Sequence, residues 1–442
     1  MSKKTQYALV GTGGRALMYI DALVDKYSDN NELVGLCDVS QVRMDWYNGQ
    51  IKDRWGAEPV PTYHADDFDK MVAECKPDTV IVTTADFMHH HYIIRSMELG
   101  CNAITEKPMT IDGEKANAIF EAIERTGRDL RVTFNYRYAP HVTQVCRMLR
   151  DGVVGTPLSV DFSWVLDTRH GADYFRRWHS YKDKSGGLLV HKATHHFDLI
   201  NWWIDSYPKT VYCIGDRMFY GAENAAKRGE VYNYDRYTDV DEAKDDPFYL
   251  SLSEDERLTA LYLNAEKDSG YVRDQNVFRD DITIEDTMAV TARYRNGVIL
   301  NYSLIAYSPW EGYRVSVTGT KGRIELFDGH GSHIIKGQSD EEIAEAQAAN
   351  HRQELMVYPM FAVPYGVEPA KGEGGHAGGD ARLLDDLLLP DPTDDPLKTA
   401  ATHIDGAASI LMGVCANESI RTGQPIDVDS VLKLPQKQSV MV

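Results

Sequence analysis

Long apolar runs are absent from this sequence. No stretch of about 18 apolar residues occurs, so no segment could cross a bilayer as a helix. Cysteine is sparse. The six thiols, Cys37, Cys75, Cys101, Cys146, Cys213 and Cys415, lie far apart with no Cys-x-x-Cys pair and no metal-ligand spacing. That pattern fits reduced thiols in a cytoplasmic protein better than a disulfide frame or a zinc site. Basic charge is in deficit, with 47 Lys and Arg against 67 Asp and Glu and a net charge of -20. Such a chain repels a nucleic-acid backbone, and no local basic patch reverses the field. The opening Met-Ser-Lys-Lys leads into no long apolar region with a small-residue cleavage site, so a secretory signal is not expected. Internal repeats are also missing. The expectation is a cytoplasmic, soluble protein without a membrane, nucleic-acid or metal partner.

What remains is ordinary globular composition, 43% hydrophobic and 26% charged, over 442 residues. That length suits two domains, each with its own core. The apolar run Gln6–Val10 ends in Gly11-Thr12-Gly13-Gly14-Arg15-Ala16, and a helical pattern follows over Leu17–Val24. Strand, G-x-G-x-x-[GA] and helix in that order form a dinucleotide-binding fingerprint. Gly11 makes the tight turn, Gly13 lets a diphosphate approach the backbone, and Ala16 lets helix pack on strand. A second strand, Glu32–Cys37, ends in Asp38, where an acid takes ribose hydroxyls and repels the extra phosphate of NADP. NAD is therefore favoured. Arg43 could stack on adenine or tolerate that phosphate, which leaves NADP open. Short apolar runs alternate with helical patterns through Asp78–Val82, Cys101–Ile104 and Leu130–Phe134, as in a parallel sheet covered on both faces. Loops at the strand ends carry Thr83, Thr84 and His89, and then Glu106-Lys107-Pro108, where ligands of such sheets bind.

The fingerprint, Thr84 with His89 five residues on, Glu106-Lys107-Pro108 and Asn135-Tyr136-Arg137-Tyr138 together resemble the glucose-fructose oxidoreductase and inositol dehydrogenase family, Gfo/Idh/MocA. The resemblance implies an α/β chain. Residues 1–135 would form a Rossmann domain with a doubly wound parallel sheet, and 136–442 an α/β substrate and oligomerisation domain with a large, mainly antiparallel sheet. Gly11, Thr12, Gly13, Gly14, Arg15, Asp38, Arg43, Thr83, Thr84, His89, Glu106 and Lys107 would then surround the cofactor. Lys107 would project between nicotinamide and substrate; standing alone it would read as a solvated surface lysine. The resemblance also implies a homodimer or homotetramer. Strand candidates for the second sheet are Leu158–Trp164, Thr210–Ile214, Met288–Arg295, Val298–Ile305, Tyr313–Thr318 and Gly322–Phe327, with Asn296-Gly297 marking a hairpin.

Within that second part, Ser185–Trp203 packs His191, Lys192, His195 and His196 against the start of a helical pattern that predicts one buried face from Thr194 to Trp203. A helix N-terminus favours neutral imidazole and attracts substrate oxygens. The family pattern Gly-Gly-x-x-x-Asp-x-Gly-x-His-x-x-Asp is matched by Gly186, Gly187, His195 and Asp198, but His191 stands where the family has Asp, and Ala193 where it has Gly. His195 is the expected base, with Lys107 orienting the substrate hydroxyl and Lys192 lowering the lysine's pKa. His191 shares the base role or binds substrate. Further substrate-binding candidates are Arg169, His170, Tyr174, Arg177, Trp178, Asp198, Tyr307 and His376, with cationic forks suited to carboxylates and aromatics to sugar faces. The arginines could equally pair with surface acids. A polar insertion near 221–281, with a helix over Glu254–Ala265, reads as a lid or oligomer contact. Gln338–Gln353 reads as an exposed helix.

The leading expectation is NAD-dependent oxidation of a secondary hydroxyl of a sugar, sugar acid or cyclitol. A second is a redox-neutral, NAD-dependent glycosidase or lyase with tightly bound NAD. A third is a non-enzymatic NAD-binding regulator.

Overall fold

The computed structural model describes residues 3–330, 334–335, 340–390 and 394–437. Six strands make the first sheet: β1 (Thr5–Val10), β2 (Asn31–Asp38), β3 (Thr62–His64), β4 (Thr79–Val82), β5 (Asn102–Thr105) and β6 (Leu130–Val132). All pair in parallel, in the order β3-β2-β1-β4-β5-β6. Every residue of β4 is buried, as a strand covered by helices on both faces requires. The chain order reverses between β1 and β4, which opens a crevice at their carboxyl ends. The flanking helices are punctuated as their sequences dictate. Ser40 caps Gln41–Trp55 and Asp112 caps Gly113–Thr126, and each helix ends at a left-handed glycine, Gly56 and Gly127.

The second sheet contains β7 (Pro157–Asp167), β8 (Pro208–Asp216), β9 (Thr287–Tyr294), β10 (Ile299–Ser308), β11 (Gly312–Gly319), β12 (Gly322–Gly329), β13 (Arg352–Pro359), β14 (Tyr365–Val367) and β15 (Ile426–Asp427). Its order is β14-β13-β12-β11-β7-β10-β9-β8-β15, antiparallel except where β7 lies parallel to β10. Burial alternates along β9 and β10, so one face packs on helices and the other carries Thr291, Asn301 and Ser303. The Asn296-Gly297 turn joins these two strands, with Gly297 at φ 90°. This is the α/β arrangement the sequence implies. Among the described residues, no helix is long and apolar enough to cross a membrane.

Three local expectations change. The helix Thr194–Trp203 is buried on all sides rather than one, because it lies between the sheet and the long helix His403–Thr422, where Thr194 Oγ1 meets Ser409 Oγ at 2.8 Å. The helix expected to run to Gln353 ends at Asn350; Arg352–Pro359 becomes β13 and buries Leu355 and Val357 against β12. Gln338 and Ser339 of that expected helix lie outside the described residues. The insertion helix is short, a single α turn Glu256–Leu258 passing into a π turn Thr259–Leu263. Leu261 of this turn is fully buried among Ala16, Tyr19, Met44 and Tyr47, inside the core of the first domain. The insertion therefore clamps onto the dinucleotide domain.

Candidate active site

The crevice beyond β1 and β4 is a cavity of about 870 Å³ lined by both domains. Gly11 has φ 94°, and a Cβ there would stand 2.6 Å from the Thr84 amide nitrogen; no other residue fits. Gly13 has nothing within 4 Å of its missing Cβ, which leaves backbone open to a diphosphate. Thr12 Oγ1 is buried with no hydrogen-bond partner among the described residues. The Asp38 carboxylate sits at the end of β2, accepting from the Thr12 amide at 2.5 Å and the Ser40 amide at 2.9 Å. Thr83 Oγ1 donates to the Gly11 carbonyl at 2.6 Å and fixes the loop from below. This open glycine turn, its orphan hydroxyl and an acid at the second strand's end fit a dinucleotide. Arg43 lies 3.5 Å from Asp38, but its Nε donates to the Leu261 carbonyl at 2.8 Å, so the insertion already engages it.

Lys107 stands where the two domains meet. Glu106 is held beneath it by Arg15 at 2.6 Å and the Tyr19 hydroxyl at 2.9 Å. Burial would raise the Glu106 pKa, but Arg15 overrides it and keeps the group an anion. His89 lies between the carbonyls of Pro108 and Thr84, at 2.8 and 3.0 Å, and ties the two strand-end loops together. Lys107 Nζ donates to the His191 carbonyl at 3.3 Å. Burial pushes its pKa down to about 8, with Asp86 and Glu106 opposing and Lys192 assisting.

The imidazoles gather around this ammonium. His191 Nδ1 meets Asp86 Oδ2 at 2.5 Å, both groups buried, and its ring lies 4.2 Å from that of His179. Burial, then the Lys107 charge, pushes His191 well below the ordinary histidine pKa. Burial also pushes the Asp86 carboxyl well above its usual range, with Lys107 and Arg177 opposing, so the acid and Nδ1 share a proton; when Nδ1 holds it, Nε2 keeps a free lone pair. Burial and Lys107 lower His195 in the same way, but its Nδ1 is buried without a partner; the ring packs 4.8 Å from Tyr136. His376 approaches from the far side. Its Nδ1 meets Asp380 Oδ2 at 2.9 Å, and Asp380 also accepts from Asn135 at 2.6 Å. His376 and Ala377 hold φ values of 49° and 53°, a left-handed loop that non-glycine residues adopt only under constraint.

The other candidates divide. Arg177 and Trp178 line the cleft; Arg177 Nε is 3.3 Å from Asp173, and Trp178 stacks on His179 at 3.6 Å. His170 bonds Glu311 at 2.9 Å and the Tyr174 hydroxyl at 3.0 Å, and the Tyr174 ring packs 5.5 Å from His191; neither residue lines the cleft itself. Lys192 lies 4.8 Å over the Trp164 ring, its pKa lowered by burial with Glu311 opposing. Three residues take other positions. Asp198 is engaged by Arg137 through bonds of 2.5 and 2.7 Å, both side chains only 1% exposed, so it supports the helix beneath the site. Tyr307 stacks on Phe219 at 4.9 Å. Arg169 gives its amide to Asp167 at the start of the helix Thr168–Arg176 and does not line the cleft.

The model of the oxidoreductase family's NAD-binding Rossmann fold matches residues 5–134, and that of its C-terminal alpha/beta domain matches 147–428. The chain belongs to the Gfo/Idh/MocA family. It is 34% identical over 437 residues, 96% of its length and 98% of the other, to the oxidoreductase-family protein YteT of Bacillus subtilis (strain 168). It is 22% identical over 339 residues to an inositol 2-dehydrogenase/D-chiro-inositol 3-dehydrogenase of Lactiplantibacillus plantarum, covering 71% of this chain and 89% of that one. A 2,7-anhydro-N-acetylneuraminate hydratase of Mediterraneibacter gnavus is 22% identical over 430 residues, 94% and 95% of the two chains.

This Gfo/Idh/MocA oxidoreductase thus puts an imidazole with its own carboxyl partner beside the cleft lysine. Sequence reasoning missed Asp86, His179, Asp380 and the insertion residues Tyr262 and Tyr271, all of which line the cleft or bond a residue that does. Asp86 was within reach of it, since it lies in the strand-end loop between Thr84 and His89. Its pairing with His191, 105 residues away, was not.

Proposed function

We propose that this protein is an NAD-dependent oxidoreductase that oxidises a secondary hydroxyl of a sugar, sugar acid or cyclitol. The observation that carries the reading is the convergence of Lys107 with the Asp86–His191 pair in the cleft that opens from the glycine loop. Bound NAD supplies the hydride acceptor. Gly11, Gly13 and Asp38 would hold it, and Arg43, already bonded to the insertion, leaves little to receive an additional 2′-phosphate. His191 Nε2 takes the hydroxyl proton as the carbinol C–H bond breaks, and Asp86 fixes the ring and steadies the imidazolium. Lys107 holds the oxygen as negative charge develops on it. Arg177 and Trp178 offer donors and a flat face for a polyol, with the His170–Tyr174 pair behind His191. The likeness to an inositol dehydrogenase supports a carbohydrate substrate.

The test is a panel of inositols, aldoses and sugar acids with added NAD, followed at the NADH absorbance. Reduction of nucleotide by a free polyol, whether of resident or of added NAD, lost in Lys107→Ala while nucleotide binding persists, supports the reading.

A second reading is favoured by His376 and Asp380, an additional oriented imidazole facing the same cleft, and by the hydratase relative. Two such bases suffice for proton removal at carbon and protonation of a leaving group in a redox-neutral cleavage. Release of an aglycone from aryl glycosides in deuterated water, with deuterium entering beside the oxidised carbon and no net NADH, would select it.

A further inference from the structure

The insertion reaches across the cofactor crevice and grips the glycine loop. Tyr262 Oη accepts from the Gly14 amide at 3.1 Å, and Arg257 donates to the Gly14 carbonyl at 2.9 Å. A Cβ on Gly14 would stand 3.0 Å from that tyrosine hydroxyl, so the loop and the insertion fit closely. The grip is anchored on both sides. Leu261 is fully buried in the first domain's core, and its carbonyl takes the Arg43 Nε bond at 2.8 Å. Ser40 Oγ donates to Asp268 at 2.8 Å, and Arg43 reaches Ser269 Oγ at 3.4 Å. The segment is also braced from its own side, where Arg236 bridges Glu266 and Asp274 at 2.7 Å each and Arg273 lies 5.2 Å over the Tyr262 ring. Tyr262, Ser269, Gly270 and Tyr271 line the same cavity as Gly13, Asp38 and Lys107. The Thr259–Leu263 turn that carries Leu261 and Tyr262 is a π turn, a form that recurs at functional sites.

We propose that residues 257–271 are a nucleotide clasp: Arg257 and Tyr262 are cofactor-site residues contributed by the substrate domain, and the dinucleotide beneath them is resident rather than exchanged at each turnover. The proposal rests on the NAD reading above and extends it. A nucleotide lying along Gly13 would have the glycine loop on one side and the insertion on the other. Its departure requires Leu261 to leave an apolar core and Arg43 to give up the Leu261 carbonyl, and both oppose opening.

The experiment is nucleotide retention by the full-length protein. Nucleotide released on denaturation is quantified before and after prolonged dialysis, and dissociation is timed by displacement with a fluorescent etheno-NAD. The expected result is near-stoichiometric retention by the wild type. Arg257→Ala, at an exposed side chain that folding does not need, should dissociate about 10- to 100-fold faster, as loss of one charged hydrogen bond implies. Leu261→Ala should lose its nucleotide during dialysis while its far-ultraviolet circular dichroism is unchanged. A wild type that binds added NAD but exchanges it within seconds overturns the clasp and leaves the oxidoreductase reading standing, as do variants that both retain nucleotide like the wild type. A wild type that neither carries nor binds NAD overturns both.

Discussion

Asp86, from the loop after β4, meets His191 of the substrate domain at 2.5 Å across the domain boundary. The acid and the ring belong to different domains, so the pair forms only when the two are packed as observed. Lys107 bonds the His191 backbone carbonyl, which links the cation and the candidate base to one short segment. The His191 imidazole thus has its carboxyl partner supplied from the neighbouring domain.

Asp86→Asn keeps the side-chain volume and removes the carboxyl that shares a proton with His191 Nδ1. Turnover should fall by about 10²- to 10⁴-fold with nucleotide affinity unchanged, since general-base catalysis contributes on that scale. Steady-state kinetics beside an etheno-NAD titration measures both. Turnover within a few-fold of wild type would move the base role to His195 or His376.

The pH profile follows from two displaced groups. Burial, then the Lys107 charge, keeps His191 neutral well below the ordinary histidine value of about 6.5, so the acid limb of kcat/KM should lie below that value. Lys107 is an ammonium below about pH 8 and loses its charge above it, so activity should decline on the alkaline side around pH 8. A profile that rises through pH 6.5 and stays flat to pH 9.5 would contradict both assignments.

Asp198 and Arg137 form a buried pair, and removing one partner strands the other. Asp198→Asn should cost about 3–5 kcal/mol of stability, seen as a lower urea midpoint, with KM of the folded enzyme unchanged. A raised KM at unchanged stability would return Asp198 to the substrate.

His330 should make stability depend on pH. Burial alone would lower its pKa, but Asp328 and Glu311 override this and raise it to about 9. Its unfolded value is about 6.5. The stabilisation is therefore complete below about pH 6.5 and is lost as pH rises through about 9. Urea midpoints across that window should fall less steeply in His330→Gln than in the wild type.

Much of this was legible in the residues because it is local. The turn Gly11-Thr12-Gly13 with Asp38, the strand and helix alternation and the Asn296-Gly297 hairpin each depend on neighbours in the chain and on hydrophobic period, so short windows determine them. Glu106-Lys107-Pro108 was legible as a motif, and its lysine does face the cleft. The partners were not legible. Asp86 and His191 are 105 residues apart, Arg137 and Asp198 61, and Arg43 and Leu261 218. A histidine, an aspartate or an arginine looks the same in a sequence whether it faces a substrate or another side chain. Only the packing of two domains and the fold-back of the insertion decide which charges neutralise one another, and hence which stay free for chemistry. The sequence by itself determined a dinucleotide-binding α/β chain with a lysine at its centre. The tertiary structure decided that His191 has an acid, that Asp198 is occupied and that the insertion closes over the cofactor crevice, because each depends on contacts between distant segments.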